Sequence, residues 1–371
     1  MKFSISSKAL YSRVSAMSKV INSKNTISIL NNYLFVLKDG KLTITGSDTE
    51  TTITSTIEAF DTEGEGSVAV DVKTISELLK ALPEQPVRME VDESRYEIYI
   101  TYQNGFLNYF GVDGNEFPQK AKLDEACKTI TLSEKDVKKA VDRTLFATGT
   151  EEIRRIMMGI LWDIKPDAIT FVASDTNKLV RYKNTNIKTG IEASFILPSK
   201  PASLLSAVLT ESEDPLTVTF DSKSATFETA DYCLTCRMIN GRYPNYNSVI
   251  PNHNPYTLTV DRESLLHAIR RVGVFAAPGG LVKLEIGDNQ VQLTSQDIDM
   301  ATFGQETVPC EYSGENMVIG FHGGRMADVL SNIACENVIL QLADPSRAGV
   351  FVPDKQESGE DLLVLLMPMM L

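Results

Sequence analysis

The alternation of apolar and polar residues repeats three times along the chain. The segments that begin at Lys2, Thr129 and Thr257 each open with a short stretch in which every second residue is apolar, as in a half-buried strand. Each stretch continues into a segment whose apolar residues lie three or four positions apart, as in an amphipathic helix. The copies are about 127 residues apart, which indicates that one domain plan is used three times.

Each repeated helix has one apolar and one polar face when its residues are placed at 100° intervals. We predict that the apolar faces lie in the core; they consist of Leu10, Val14 and Met17, then Val137, Val141 and Thr144, then Leu265, Ile269 and Val272. The opposite faces are rich in basic residues and consist of Lys8, Ser12, Ser15 and Lys19, then Lys135, Lys139 and Asp142, then His267, Arg270 and Arg271.

The pattern within each third is itself double. After the first helix the alternation predicts strands at 33–37, 42–45 and 51–57, and the order then restarts with a strand at 68–71, a helix at 72–82 and three more strands. The unit is therefore a strand, a helix and three strands, used twice per domain. Helices with one apolar stripe must pack on one face of a sheet, so we predict an α+β fold. We place the three domains at 1–125, 126–252 and 253–371.

Composition supports a globular protein with a substantial core, since 43% of the 371 residues are hydrophobic. The first residues do not read as a signal peptide, and no apolar run approaches the roughly 20 residues of a membrane helix. Five cysteines, an odd number, fit a reducing compartment better than a disulfide framework. We therefore expect a cytoplasmic protein.

The net charge of −13 by itself argues against a nucleic-acid partner, but the charge is unevenly distributed. On the six predicted helices, basic residues outnumber acidic ones by about two to one, so the rest of the chain is strongly acidic. A surface whose charges all have the same sign attracts a partner of the opposite charge. The alternative interpretation is that these helix faces are simply solvated.

Three domains in a row leave a sheet edge at each end, and unpaired edge strands invite pairing with another chain. We predict that Phe106, Leu107 and Tyr109 of the first domain meet Val274 and Phe275 in the third domain of a second copy. Head-to-tail pairing applied twice would close a dimeric ring.

Evidence for catalysis is weak. Cys233 and Cys236 form a Cys-x-x-Cys pair, but an odd separation on a predicted strand points their side chains to opposite faces. His253, His267 and His322 are far apart in sequence, and neither a phosphate-binding loop nor a nucleophile elbow is present. We predict a protein that is not an enzyme and that needs no cofactor or metal.

Several short segments, in their order and spacing, resemble the bacterial DNA polymerase III beta subunit family, the β sliding clamps. They are Met1-Lys2-Phe3, Thr26 to Asn31, Gly46-Ser47-Asp48, Ala173-Ser174-Asp175, Gly241-Arg242-Tyr243-Pro244 and Met367-Pro368-Met369. The resemblance covers all three thirds. It implies a head-to-tail homodimeric ring with helices on the inner face and sheets on the outer face.

The resemblance also implies partners. Members of the family encircle double-stranded DNA without sequence specificity and confer processivity on the replicative polymerase. The implied protein partners are the clamp-loader ATPase complex, the polymerase alpha subunit, and other polymerases and repair proteins that bind through short linear peptides. The basic residues expected to face DNA are Lys8, Lys19, Lys24, Lys73, Lys135, Lys139, Arg154, Arg155, Lys200, Arg270 and Arg271.

The family also has a hydrophobic peptide cleft that includes the C-terminal tail. The positions implied here are Met157, Ser174, Thr176, Asn177, Lys178, Leu179, Pro244, Ser248, Val249, Leu365, Leu366, Met367, Pro368, Met369, Met370 and Leu371. Thr176-Asn177-Lys178 replaces a typical Gly-His-Arg, Ser248 replaces a frequent basic residue and Met370 a frequent Arg. A pocket with less positive charge is therefore expected, and its peptide preference stays open.

The main rival hypothesis is a repeat scaffold that binds proteins through the same cleft but does not bind DNA. It predicts no dependence of function on the charge of the helices. Retention on circular DNA therefore discriminates between the two hypotheses.

Overall fold

The computed structural model describes residues 1–21, 27–119 and 123–371. These residues form six α-helices and 27 β-strands. The helices are α1 Ser7–Met17, α2 Val72–Ala81, α3 Glu134–Thr144, α4 Ser199–Val208, α5 Arg262–Gly273 and α6 Gly323–Ser331. The first strands are β1 Lys2–Ser6, β2 Asn32–Lys38, β3 Lys41–Ser47, β4 Thr51–Glu58, β5 Phe60–Glu63, β6 Gly66–Asp71, β7 Pro86–Asp92, β8 Glu97–Tyr102, β9 Gly105–Phe110 and β10 Val112–Asp113.

The middle strands are β11 Lys128–Ser133, β12 Gly159–Lys165, β13 Ala168–Ser174, β14 Lys178–Asn184, β15 Ala193–Pro198, β16 Pro215–Phe220, β17 Ser224–Glu228 and β18 Tyr232–Arg237. The last strands are β19 Tyr256–Asp261, β20 Leu281–Gly287, β21 Gln290–Asp297, β22 Thr302–Pro309, β23 Glu311–Ser313, β24 Met317–His322, β25 Asn337–Leu342, β26 Gly349–Pro353 and β27 Glu360–Leu366.

This order confirms the predicted unit of a strand, a helix and three strands. The first third contains β1–α1–β2–β3–β4 and β6–α2–β7–β8–β9, and the middle third contains β11–α3–β12–β13–β14 and β15–α4–β16–β17–β18. The last third contains β19–α5–β20–β21–β22 and β24–α6–β25–β26–β27. Three short strands, β5, β10 and β23, are additions that the sequence pattern did not predict.

The two units of each third exchange their first strands. β1 pairs with β7 of the following unit, and β6 pairs back with β2, in both cases antiparallel. The same exchange joins β11 to β16 and β15 to β12, then β19 to β25 and β24 to β20. Each strand–helix segment is therefore anchored in the sheet of its sister unit.

The chain forms two compact units, Met1–Lys138 with Lys200–Met238, and Lys139–Ser199 with Ile239–Leu371. In the first unit, pairing of β4 with β18 builds a nine-stranded sheet, and a five-stranded sheet ends at β9. In the second unit, pairing of β14 with β27 builds another nine-stranded sheet, and a four-stranded sheet has β22 and β24 as its edges. The middle third thus contributes to both units, and the boundaries placed near 125 and 253 stay a prediction.

Helices begin directly after strands because a side chain at the strand end caps the first turn. The Oγ of Ser6 accepts a hydrogen bond from the backbone N–H of Ala9 at α1, and Asp261 accepts one from Ser264 at α5. The predicted core faces are confirmed, since each of the following residues is at most 3% exposed: Leu10, Val14, Met17, Val137, Val141, Thr144, Leu265, Ile269 and Val272.

Candidate binding surfaces

An apolar cavity of about 320 Å³ lies in the second compact unit, and we call it the cleft. Its walls come from the turn between β13 and β14, from the end of β27 and from the segment that follows Tyr243. The predicted cleft residues that line it are Met157, Ser174, Thr176, Lys178, Leu179, Pro244, Val249, Leu365 and Met367. The structure therefore brings together residues that are far apart in sequence.

The floor of the cleft is a packed apolar cluster. Leu179 on β14 lies opposite Leu365 on β27, and both are less than 5% exposed. The same cluster of buried residues includes Leu161, Val172 and Tyr243, and Met157 packs against it. Because the floor is fixed by strand pairing and close packing, the cleft is formed before any peptide binds.

The turn between β13 and β14 shapes one wall of the cleft. Asp175 accepts hydrogen bonds from the backbone N–H groups of Asn177 and Lys178, and Ser174 accepts one from Thr176. Thr176 has a φ of 77°, in the left-handed region, which these local bonds hold in place. The Arg154 guanidinium donates to the Thr176 hydroxyl at 3.0 Å, so this wall also touches the segment around Arg154.

Lys178 is the basic residue of the cleft, and its charge is already balanced. Its side chain is 8% exposed, with the ammonium 3.2 Å from Asp175 and 3.8 Å from Asp328. The same ammonium lies 6.0 Å from the centre of the Phe146 ring. With two carboxylates beside it, the ammonium adds no net positive charge to the cleft, whose other lining residues are uncharged.

Three lining residues were missed by the sequence reasoning, namely Tyr243, Asn245 and Tyr246. Tyr246 donates a hydrogen bond from its hydroxyl to Asp163 at 3.0 Å, and burial raises the pKa of the Tyr243 phenol. The signal was present, because the segment that ends in Tyr243-Pro244 was recognised as a family resemblance. Of that segment, only Pro244 was assigned to the cleft.

Other predicted cleft residues do not line the cavity. The carbonyl of Asn177 accepts a hydrogen bond from the Met367 backbone, Leu366 is buried in β27, and Ser248 donates to the Asn245 carbonyl. Beyond Met367 the tail leaves the cleft and meets β24, where the Met369 N–H donates to the Gly320 carbonyl at 2.8 Å. The remaining tail residues outside the cavity wall are Pro368, Met370 and Leu371.

The basic residues predicted to face DNA fall into two groups. In the first group the side chains are exposed: Lys8, Lys19, Lys73, Lys135, Arg154, Arg155, Arg270 and Arg271. Several make surface ion pairs, such as Lys8 with Glu84 at 3.8 Å and Lys135 with Glu213 at 2.8 Å. Exposed pairs of this kind contribute about 0–1 kcal/mol each, so the cations can exchange a carboxylate for a phosphate at little cost. Lys24 lies outside the described residues.

In the second group, Lys139 and Lys200, the cation is held by at least one buried carboxylate. The Lys139 ammonium lies 2.6 Å from Glu357 and 2.7 Å from Glu360, whose side chain is only 7% exposed. Arg143 bonds the same two carboxylates and stacks over the Tyr182 ring. The hydrogen bonds from Lys139 lower the pKa of Glu357. Lys139 therefore has a structural role that the sequence did not reveal.

Lys200 is held in a similar way in the first compact unit. Its ammonium donates to the Val20 carbonyl at 2.7 Å and to Asp48, whose side chain is 7% exposed, at 2.5 Å. Releasing Lys200 toward a phosphate would leave the Asp48 carboxylate without this partner. Lys200 is for this reason a weaker candidate for DNA contact than the exposed lysines.

The two predicted interface segments lie at free sheet edges. β9 is the edge of the five-stranded sheet, and Leu107 and Tyr109 stand opposite the buried Ile100 and Ile98 of β8. Phe106, on the other face of β9, is 72% exposed. The Tyr109 hydroxyl is shielded from solvent and has no hydrogen-bond partner among the described residues.

The third-domain segment lies against the edge strand β22. Val274 directly follows α5 and is 78% exposed, and the Phe275 ring packs against Gly304 of β22. Phe303, which the sequence reasoning missed, exposes 59% of its surface on the opposite face of this strand. Both edges thus combine unpaired backbone with exposed apolar side chains.

Features expected of a metal or thiol site are not brought together in the described residues. Cys236 is buried and Cys233 partly buried on β18, and burial raises the pKa of Cys236 to about 12, so its thiol stays protonated. No group of three or more His, Cys, Asp or Glu side chains among the described residues is placed to hold a metal ion. None of the described helices combines the length and apolar character needed to span a bilayer.

The fold agrees with that of the proteins that the chain resembles. The "Beta sliding clamp" of Staphylococcus aureus is 25% identical over 375 residues, with 98% of each chain covered. The DNA polymerase III beta subunit of Thermotoga maritima superposes with a TM-score of 0.91 at 26% identity, covering 100% of this chain and 99% of the other. A sliding clamp of Pseudomonas aeruginosa bound to griselimycin superposes with a TM-score of 0.92 at 22% identity, and both chains are fully covered.

The sequence models of one family match nearly the whole chain. Residues 1–121 match the N-terminal domain of the DNA polymerase III beta subunit, residues 131–245 its central domain and residues 247–370 its C-terminal domain. The three matches follow one another in the order of the family and correspond to the three pairs of strand–helix units. The chain therefore belongs to the DNA polymerase III beta subunit family and has its three-domain α+β sliding-clamp fold.

Proposed function

We propose that this protein is a DNA sliding clamp that encircles duplex DNA and confers processivity on a replicative polymerase. The observation that carries the proposal is the match of all three family domains, in order, from residue 1 to residue 370. The role is non-catalytic, because a clamp acts by holding a partner on DNA and transforms no substrate. The domains are those placed at 1–125, 126–252 and 253–371.

The ring forms when β9 of one copy pairs with β22 of a second copy. Both strands are free edges with exposed apolar residues, and the same head-to-tail contact made twice would close a ring of two copies. Leu107 and Tyr109 would meet Val274 and Phe275, completing the apolar layer that the edge leaves open. The partner strand would also offer the Tyr109 hydroxyl a hydrogen-bond acceptor.

DNA passes through the ring against the exposed basic residues of the helices. Lys and Arg attract phosphates without reading sequence, and long side chains can do so at any register of the duplex. The best candidates are the exposed cations Lys8, Lys19, Lys73, Lys135 and Arg270, with Arg154 and Arg155 on a separate segment. Lasting residence comes from topological closure, since tight contacts would oppose sliding.

The cleft receives short linear peptides from partner proteins. Its volume of about 320 Å³ suits a few apolar side chains, and its balanced Lys178 favours uncharged ones. The proposed partners are the replicative polymerase alpha subunit, other polymerases, repair proteins and the clamp-loader ATPase complex. The compartment is the cytoplasm, where cysteines remain reduced.

Retention on circular DNA tests the proposal. The clamp is loaded onto a nicked circle with a bacterial clamp loader, separated from free protein by gel filtration, and followed before and after the circle is linearised. A ring stays on the circle and runs off the linear molecule. The Leu107→Glu variant, which places a charge at the β9 edge, should be a monomer by solution mass measurement and should not be retained.

Two results would contradict the proposal. Equal retention on circular and linear DNA would indicate simple binding without encirclement. A wild-type protein that remains a monomer at all concentrations and is not retained on the circle would favour the rival scaffold that binds proteins alone.

A further inference from the structure

A second and larger cavity, of about 720 Å³, lies on the four-stranded sheet of the second compact unit. We call it the β20–β22 cavity, after the strands that form its floor. Lys283 and Glu285 of β20 form an ion pair with each other on this floor, beside glutamine and threonine side chains of β21 and β22. Neither the cleft nor the β9–β22 pairing uses these side chains.

The rim of this cavity carries apolar side chains that are largely in solvent. In a single copy Ile298 is 82% exposed, Phe303 59% and Leu371 61%, and Phe303 also lies on the edge strand β22 that the proposed ring contact uses. These three large apolar groups line one cavity, and grouped exposed apolar residues mark interaction sites more often than isolated ones do. Their arrangement suits an occupant with at least one apolar side chain.

The C-terminal tail connects this cavity to the cleft. Met367 lines the cleft, and Leu371, four residues later, lines the β20–β22 cavity. The tail is fixed between them, because Met367 donates to the Asn177 carbonyl and Met369 to the Gly320 carbonyl, each at 2.8 Å. Four extended residues span about 13 Å, so a peptide leaving the cleft along the tail reaches the second cavity within a few residues.

The charge of the cavity wall determines which peptide segments can bind along the tail. The loop after β21 places Asp297 and Asp299 on the wall of the cavity. Asp297 accepts hydrogen bonds from the backbone N–H groups of Asp299 and Met300, and no cation of the described residues pairs with either carboxylate. Since Lys283 and Glu285 cancel each other, the wall is negative overall and complements a basic segment.

We propose that the β20–β22 cavity is a second docking site, which takes a basic, extended segment flanking the cleft-binding motif of the same partner peptide. The inference rests on the proposed function of the cleft. A Lys or Arg of the segment would approach Asp297 and Asp299, and an apolar side chain would pack among Ile298, Phe303 and Leu371. Two linked contacts raise affinity because the second one forms at a high effective concentration.

The test uses a peptide that is selected for binding to this protein. A pentapeptide is selected from a random display library for binding to the wild-type clamp, with counter-selection on Val249→Glu, a variant of the cleft wall. The fluorescein-labelled core is then extended at either end by Gly-Ser-Lys-Leu-Lys-Gly or by the matched Gly-Ser-Glu-Leu-Glu-Gly. Dissociation constants come from fluorescence anisotropy with the full-length clamp.

One of the two lysine extensions should bind about tenfold more tightly than the core, and neither glutamate extension should. The gain should shrink between about 50 mM and about 0.5 M salt. Asp299→Lys should abolish the gain without changing the affinity of the core, and Ile298→Ser should reduce it about threefold. Glu315→Lys, an equal charge change at an exposed site outside the cavity, should leave the gain intact.

The outcomes separate this inference from the function of the cleft. If the core binds and loses affinity in Val249→Glu, but no extension adds to its affinity, the cleft stands and the second site is overturned. If the lysine extension gains as much affinity on Asp299→Lys as on the wild-type clamp, the gain comes from attraction by the overall charge of the protein. That result would also overturn the second site. If no pentapeptide distinguishes the wild-type clamp from Val249→Glu, the cleft assignment itself fails, and this inference fails with it.

Discussion

The cleft and the basic helix faces are built on opposite principles. The floor of the cleft is fully packed, with Leu179 and Leu365 held by the pairing of β14 with β27. The helix cations are mostly exposed, and their ion pairs, such as that of Lys8 with Glu84, lie at the surface. A rigid pocket suits recognition of particular side chains, whereas loosely held charges suit a partner that must keep moving.

The same comparison applies within the helix α3. Lys135 and Lys139 lie one turn apart, and the sequence assigned both to DNA. Lys135 is 51% exposed and pairs with an exposed Glu213, whereas Lys139 is 22% exposed and pairs with the buried Glu360. The burial of the partner, which only the fold reveals, separates an available cation from a structural one.

Reversing exposed helix charges should have the largest effect. A triple variant with Lys8, Lys73 and Arg270 changed to Glu should lower the amount of clamp retained on nicked circles by about 30-fold, because three phosphate contacts become repulsive. Peptide affinity of the cleft should not change. The matched control reverses Lys38, Lys223 and Lys355, which are exposed and lie outside the helices, and it should load normally. Equal loss in both triples would show that net charge matters and position does not.

Shortening the tail should test the cleft with a smaller effect. Removal of residues 367–371 deletes Met367 from the wall, and the affinity for a core peptide should fall about tenfold. Removal of residues 370–371 alone leaves the cleft wall complete and should not alter that affinity. Calorimetric titration of the wild-type protein and both truncations makes the comparison. A loss of affinity in the shorter truncation would mean that the cleft extends further along the tail.

Lys139→Met should weaken the fold by about 1–2 kcal/mol, since the buried Glu360 loses one of its two cationic partners and Arg143 remains. Lys135→Met, the matched variant on the same helix, should cause no measurable change. The single tryptophan, Trp162, is buried in the same compact unit as Lys139, so its fluorescence reports the relevant urea transition. Identical midpoints for the two variants would remove the distinction between these lysines.

The smallest effect concerns pH. Lys139 lowers the pKa of Glu357 in the folded protein, so this carboxylate stabilises the fold above its ordinary pKa of 4.5 and loses that contribution as pH falls through the lowered value. The difference in stability between wild type and Lys139→Met should therefore be constant from pH 7 to about 5.5 and should shrink below about pH 4.5. Urea midpoints of both proteins measured across this pH range check the prediction. A stability difference that grows as the pH falls would contradict it.

Much of the local structure could be predicted because it follows periodic patterns. The stripe of Leu10, Val14 and Met17 gave the buried face of α1, and the alternation at 33–37 gave the centre of β2. The cleft was partly predictable, since family resemblance identified Met157, Leu179 and other lining residues. Tyr243 was missed although its segment carries the family resemblance, and Tyr246 was missed because nothing in its spacing marks it as a lining residue. The ion pairs of Lys139 could not be foreseen, because its partners lie 218 and 221 positions away.

The sequence by itself determined the six strand–helix–three-strand units, their core faces and the concentration of positive charge on the helices, because burial periodicity and charge are local properties of the chain. Only the tertiary structure decided that β1 joins β7 while β6 joins β2, that β14 pairs with β27 beneath the cleft, and that the tail passes from the cleft to a second cavity. Strand partners are chosen by packing between distant segments, and an alternating pattern fits several partners equally well until the whole core is assembled.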